Sequence, residues 1–160
     1  MQKIIAALCI FLWGNASIKA QSETFNPEVK KYFLITYATK NYEAAFHHAN
    51  DISKKLALKL DLRELQAYDK TLGLTWAASI CEGDGWEYPC YIPRGRYDDG
   101  IYVSIEWSDG YKNFSKGYYI VMVASTQNFD KDLKKLLNHV QTHIPDAYIK
   151  SSMIYMGCMH

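Results

Sequence analysis

Two stretches of the chain carry the same succession of hydrophobic and polar positions. Gly117 to Lys150, GYYIVMVASTQNFDKDLKKLLNHVQTHIPDAYIK, reads as a strand, a capped amphipathic helix and a second strand. Tyr32 to Arg63, YFLITYATKNYEAAFHHANDISKKLALKLDLR, repeats that plan. With Tyr32-Phe33 set over Tyr118-Tyr119, Ala38-Thr39 falls on Ala124-Ser125, and Asn-Tyr and Asn-Phe open the two helices. In the first copy, Lys30 to Thr39 is rich in residues that suit a pleated surface. Asn41 is the expected helix N-cap, with Glu43 in a first turn where the helix dipole favours negative charge. Ala45, Ala49, Ile52 and Leu56 then fall on one helical stripe. The helix is expected to fade near Ala57–Lys59. Lys59 to Ala67 alternates as a second strand, with Leu58, Leu60 and Leu62 on one side and Lys59, Asp61 and Arg63 on the other. In the second copy, Tyr118 to Ser125 is a strand and Asn128 or Asp130 caps the helix. Leu133, Leu136, Leu137, Val140 and Ile144 share its stripe, Pro145 ends it, and Ala147 to Ile154 reads as the closing strand.

Two β-α-β units in series predict an α+β fold of the ferredoxin-like βαββαβ plan, an antiparallel sheet with both helices on one face. Residues 69–116 form a long insert between strands 2 and 3. Within it, Thr71–Ile80 suits a strand or a short helix, Pro89–Gly100 a loop, and Ile101–Trp107 a half-buried strand. Strict alternation would turn Phe33, Ile35, Tyr37, Tyr119, Val121 and Val123 toward the helices, and Tyr32, Leu34, Thr36, Tyr118, Ile120 and Met122 away. That second set is too apolar for a face in water. Part of the insert is therefore expected to extend or cross the sheet.

The N-terminus sets the compartment. Lys3 precedes the apolar run Ile4–Trp13, and small residues lead to Ala20 before Gln21. This is the pattern of a secretory signal peptide, residues 1–20. The run is shorter than the about 20 apolar residues a membrane span needs. A single exported domain, residues 21–160, periplasmic or secreted and without a membrane span, is expected. Losing residues 1–20 removes Lys3 and Lys19 and no acid, which takes the net charge from +1 to −1. A near-neutral chain is a poor nucleic-acid partner, since phosphate binding wants a clustered basic face. Lys116 to Val121 partly matches an RNA-binding strand motif, but Tyr119 stands where a small residue belongs.

Cys81 and Cys90 bracket the loop EGDGWEYP, and in an oxidising compartment they read as a disulfide. Cys158 is left either free or paired with the loop. No metal site is expected: the cysteines lack a second close ligand pair, His139 and His143 lack a third ligand, and the acids around Gly83 and Gly85 lack the alternation of a calcium loop.

Val121, Met122, Val123, Ala124 and Ser125, followed within a few residues by a helix, resemble the opening of a SPOR (sporulation-related repeat) domain. Ile35, Thr36, Tyr37, Ala38 and Thr39 resemble it more loosely. Met122 and Thr36 occupy a position where the family often has glutamine. The resemblance covers about half of the chain beyond residue 20. It implies a ferredoxin-like module of the bacterial cell envelope that binds peptidoglycan glycan strands on the sheet face opposite the helices.

The insert is crowded with Trp86, Tyr88, Tyr91, Tyr97, Tyr102, Trp107, Tyr111 and Phe114. Such aromatics either stack on sugars or build a second small core. Arg94 and Arg96 either bind a ligand carboxylate bidentately or order the loop through Asp98 and Asp99. The leading expectation is a noncatalytic glycan-binding module with Tyr32, Tyr118, Tyr97 and Trp107 stacking on the ligand and Arg94 and Arg96 adding polar contacts. It requires no cofactor. The second is an interaction module, an inhibitor or assembly factor, whose insert docks on an envelope protein. The third is a small glycan hydrolase using Glu106.

Overall fold

The computed structural model describes residues 27–69 and 71–157. Residues 1–20, expected from the sequence to be a signal peptide, and Cys158 lie outside the described residues. The described residues are α+β, built on a four-stranded antiparallel sheet with three α-helices.

The first strand, β1 (Glu28–Thr39), leads into α1 (Tyr42–Leu56). Asn41 caps this helix, its side chain accepting the Ala44 N–H at 3.0 Å, and Ala57 closes it in the left-handed region. Ala45, Ala49 and Ile52 are its buried residues, the stripe expected from their spacing. After two short strands, β2 (Gln66–Ala67) and β3 (Leu74–Thr75), and the short helix α2 (Ala78–Gly83), the chain enters β4 (Gly100–Trp107). A 3₁₀ turn at Ser108–Gly110 leads towards β5 (Tyr119–Thr126), α3 (Lys131–Gln141) and β6 (Tyr148–Tyr155). Of the two possible caps for α3 it is Asp130 that serves, accepting the Leu133 N–H at 3.0 Å. Thr71–Ile80 turns out to hold both a strand, β3, and the start of a helix, α2.

The sheet runs β4-β5-β1-β6. One expected strand is not part of it. Lys59–Ala67 does not enter the sheet as its second strand; β4 has that place. Leu60 makes one parallel bridge to Val103 on the outer edge of β4, through Asp61 N–H to Val103 O and Val103 N–H to Lys59 O, both 2.8 Å. The extended run then breaks because Arg63 and Glu64 both take φ 57°, a left-handed conformation that cannot continue a strand. Gln66 and Ala67 pair instead with Thr75 and Leu74 in a separate ribbon. The long excursion thus lies between α1 and β4 rather than between the second and third strands of the sheet.

Leu34, Val103, Ile105, Trp107, Tyr119, Val121 and Val123 join Ala45, Ala49 and Ile52 of α1 and Leu133 and Val140 of α3 in one core. Phe33, Ile35, Ile120, Met122 and Ile154 form a second core with Tyr111 and Phe114. The alternation in β5 is as expected, but in the first part of β1 it is inverted: Leu34 packs with the helices, Phe33 and Ile35 away from them. Irregular pairing between Leu34 and Tyr37 resets the phase. Beyond it Tyr37 stacks on His48 of α1, ring centroids 4.6 Å apart.

Much of the second face is covered. Residues 91–99 cross it as a strap: Arg94 reaches Ser104 and Met122, Gly95 lies against Ser125 and Phe33, and Asp99 binds Lys31 and Ser125. Cys90, disulfide-bonded to Cys81, stands where the strap begins.

Candidate functional site

Alternation along β4 places Val103, Ile105 and Trp107 in the helix-side core and Tyr102, Ser104 and Glu106 under the strap. Glu106 is fully buried. Its Oε2 accepts from Arg63 Nη1 and the Tyr91 hydroxyl, both at 2.7 Å, and from the Tyr111 hydroxyl at 3.2 Å. Such a charge is tolerable only because it is paired and hydrogen-bonded. Arg63 reaches the cluster from the loop after α1. Its Nε lies 2.7 Å from Asp98 Oδ2, and its Nη2 donates to Ile92 O at 3.1 Å. Asp98 also accepts the Tyr102 hydroxyl at 2.9 Å.

Burial by itself would lower the Arg63 pKa; the carboxylates of Glu106 and Asp98 outweigh it and hold the guanidinium above its ordinary value. Burial pushes the Tyr91 and Tyr111 phenols well up, and the neighbouring Glu106 charge adds to this. Burial also raises Tyr102. The hydroxyls therefore serve as neutral donors.

Above this cluster lies an open depression of about 460 Å³ lined by Asp61, Arg63, Glu64, Trp76, Tyr97, Asp98 and Tyr102. Three aromatic residues surround an arginine whose backbone, with that of Glu64, is left-handed. Paired non-glycine residues in that conformation persist only where their surroundings over-determine them. Here the Asp61 carboxylate accepts the Arg63 N–H at 2.9 Å, the Trp76 indole donates to Arg63 O at 2.7 Å, and the guanidinium is held by two acids. Hydrogen bonds from Lys59 and from the Arg63 N–H in turn lower the Asp61 pKa. Tyr97 projects from the strap with 73% of its surface exposed.

The six residues expected to hold a ligand do not converge. Tyr97 lines the depression. Arg94 is fully buried; its guanidinium donates to Gly100 O, Tyr102 O and Ser104 Oγ at 2.9–3.0 Å and stacks 3.5 Å above the Tyr102 ring. Arg96, also buried, donates to Gly157 O and lies against the Tyr97 and Tyr155 rings. Trp107 is buried beside Gly73 and Tyr119 in the helix-side core. Tyr32 sits at another part of the sheet, its ring 5.2 Å from Phe129. Tyr118 lines a separate slot. Arg94 and Arg96 are thus held mainly by backbone carbonyls, with Ser104 Oγ a further partner of Arg94. Glu106 is enclosed by its three partners, which puts it out of reach of a substrate in this conformation.

Arg63, Trp76, Asp61 and Glu64 were not among the expected site residues. The signal available in the sequence was the end of the Leu58, Leu60, Leu62 alternation at Arg63-Glu64, where a charged pair stands in place of a continuing strand. Among the described residues no group of three or more histidine, cysteine or acidic side chains is arranged to hold a metal ion. No described helix is long and apolar enough to cross a membrane. Comparison of the chain with protein-family models, curated proteins and solved structures returned no match.

Proposed function

We propose that this protein is an exported, noncatalytic binding module for a glycan, with the depression around Arg63 as its binding site. The observation that carries the reading is the combination of Trp76, Tyr97 and Tyr102 with Arg63, Asp61, Glu64 and Asp98 around one open hollow. Sugar rings offer C–H faces to aromatic side chains and hydroxyls to carboxylates and guanidinium groups, and this lining supplies both. The apolar run near the N-terminus and the Cys81–Cys90 disulfide support export. The four-stranded antiparallel order β4-β5-β1-β6 supports a ferredoxin-like plan, in which β4 takes the second strand's place. That plan and the Val121–Ser125 resemblance support a SPOR-like module and make peptidoglycan the first glycan to try. The site differs from the one the resemblance implies, because the strap occupies much of the sheet face opposite the helices.

Co-sedimentation of the exported form with purified peptidoglycan sacculi, and calorimetric titration with soluble glycan fragments, test the proposal. Retention at low and moderate salt is expected, with Tyr97→Ala weakening it about tenfold, as loss of one stacked ring would. Tyr97 is exposed, so the variant keeps the fold. Absence of binding to both sacculi and fragments rejects the glycan reading. Binding that Tyr97→Ala leaves unchanged rejects the site.

A further inference from the structure

A second site lies on the uncovered corner of the sheet, away from the Arg63 depression. A slot of about 140 Å³ is lined by Ala38, Phe114, Ser115, Tyr118, Ile120, Tyr148 and Lys150, apolar apart from the lysine, the serine and the two phenols. Lys150, in the lining, has its Nζ 4.6 Å from the Phe114 ring centroid, and Lys40, from outside the lining, has its Nζ 5.3 Å from the ring centroid of Tyr118. Neither lysine has a carboxylate partner among the described residues. Beside the slot, one edge of the sheet has no strand partner among the described residues. The pairing of β1 with β6 ends at Ile35 and Tyr148, whereas its pairing with β5 continues through Tyr37, Ala38 and Thr39. Thr36–Thr39 therefore have a strand on one side and none among the described residues on the other.

We propose that this corner binds the C-terminus of an extended peptide with an apolar last residue. The peptide backbone pairs with this edge of β1, in line with β6. Its last side chain enters the slot, and its carboxylate meets Lys40 and Lys150. Strand addition supplies main-chain hydrogen bonds, and the adjoining pocket and charges supply specificity. The charge of the site favours a carboxylate terminus. The length of this edge favours a peptide over a small apolar acid, which would leave the edge unused.

The test is calorimetric titration of the exported form with an N-acetylated hexapeptide of threonine and valine ending in leucine, as the free acid and as the C-terminal amide, with N-acetyl-leucine as the third probe. The acid is expected to bind at least about tenfold more tightly than the amide, consistent with loss of a charge-assisted contact. Lys40→Gln and Lys150→Gln, both at accessible ammonium groups, are each expected to weaken the acid about threefold, with less effect at high salt. Backbone amide resonances of residues 36–39 should shift on binding. Equal affinity for acid and amide overturns the proposal, as does no binding of the acid at millimolar concentration. N-acetyl-leucine matching the peptide overturns it in favour of a small apolar acid. Glycan binding with and without the peptide is a separate readout, so failure here leaves the Arg63 site untouched.

Discussion

Arg63 Nη1 lies 2.7 Å from Oε2 of Glu106, a carboxylate with no solvent exposure, across 43 residues of chain. Removing one member strands the other. Arg63→Met should destabilise the protein by about 3–5 kcal/mol, since Glu106 then stays buried without its countercharge. Combining it with Glu106→Leu should recover part of that loss. Urea unfolding of the two single variants and the double variant measures the coupling; simple additivity would show that the pair does not act as a unit.

Tyr91 and Tyr111 should resist ionisation. Their pKa values in the fold are held well above 10.0, first by burial and then by Glu106. A group whose folded pKa is raised contributes stability that is complete below its unfolded value and declines as pH rises above it. The unfolded chain releases these protons near pH 10 while the folded chain keeps them, so stability should fall as pH rises through and beyond 10. Tyrosinate absorbance should show these phenols ionising together with alkaline unfolding. Their titration near pH 10 with native circular dichroism unchanged would contradict the burial argument.

Gly73 should not accept a side chain. Its φ is +65°, and a Cβ there would stand 2.0 Å from Cδ2 of the Trp107 indole. Gly73→Ala combines a left-handed conformation unfavourable to alanine with displacement of a core indole, together costing about 2–4 kcal/mol. Thermal unfolding with indole fluorescence reads both effects. An unchanged melting temperature would mean that the ribbon moves freely off Trp107.

The Cys81–Cys90 bond closes a short loop. Replacing both cysteines with serine should cost about 2.5 kcal/mol by the chain-entropy account. Chemical denaturation under non-reducing conditions measures it, and a loss below about 0.5 kcal/mol would indicate that packing of α2 alone holds the loop.

What the sequence made legible was local. The stripe Ala45, Ala49, Ile52, the Asn41 cap and the Cys81–Cys90 pair depend on neighbours within a few residues, and each has its expected place. Partner choice between strands does not. Leu58, Leu60 and Leu62 alternate as well as many strands, yet the left-handed pair at Arg63-Glu64 ends the run, and Ile101–Trp107, correctly read as a strand, takes the sheet position assigned to it. Trp107 shows a different ambiguity: the apolar ring that suits a ligand also suits a core, and spacing cannot separate them. Arg63 looked like the polar side of a strand because Glu106 and Asp98 lie dozens of residues away. Two register shifts in the β1–β5 pairing, at Leu34/Ile35 and Ile35/Tyr37, accompany the inverted faces of Phe33, Leu34 and Ile35.

The strap has a mechanical consequence for the ring it carries. Gly95 N–H is bound to Asp98, Asp98 to Arg63 and Tyr102, Asp99 to Lys31 and Ser125, and the Arg94 and Arg96 side chains are fastened on the side of Tyr97 nearer Cys90. Tyr97 projects from the strap with 73% of its surface exposed, while Asp99, exposed as well, is tied down by Lys31 and Ser125. Ordering a loose loop on binding would cost about 1–2 kcal/mol of backbone entropy for every residue, whereas restricting one side chain costs about 0.5–1.5 kcal/mol. The Tyr97 ring is therefore preorganised: only its own torsions are left to settle when a ligand arrives. Loosening the strap at Asp99 or Arg94, with Tyr97 itself intact, would weaken binding by returning that entropy to the free protein.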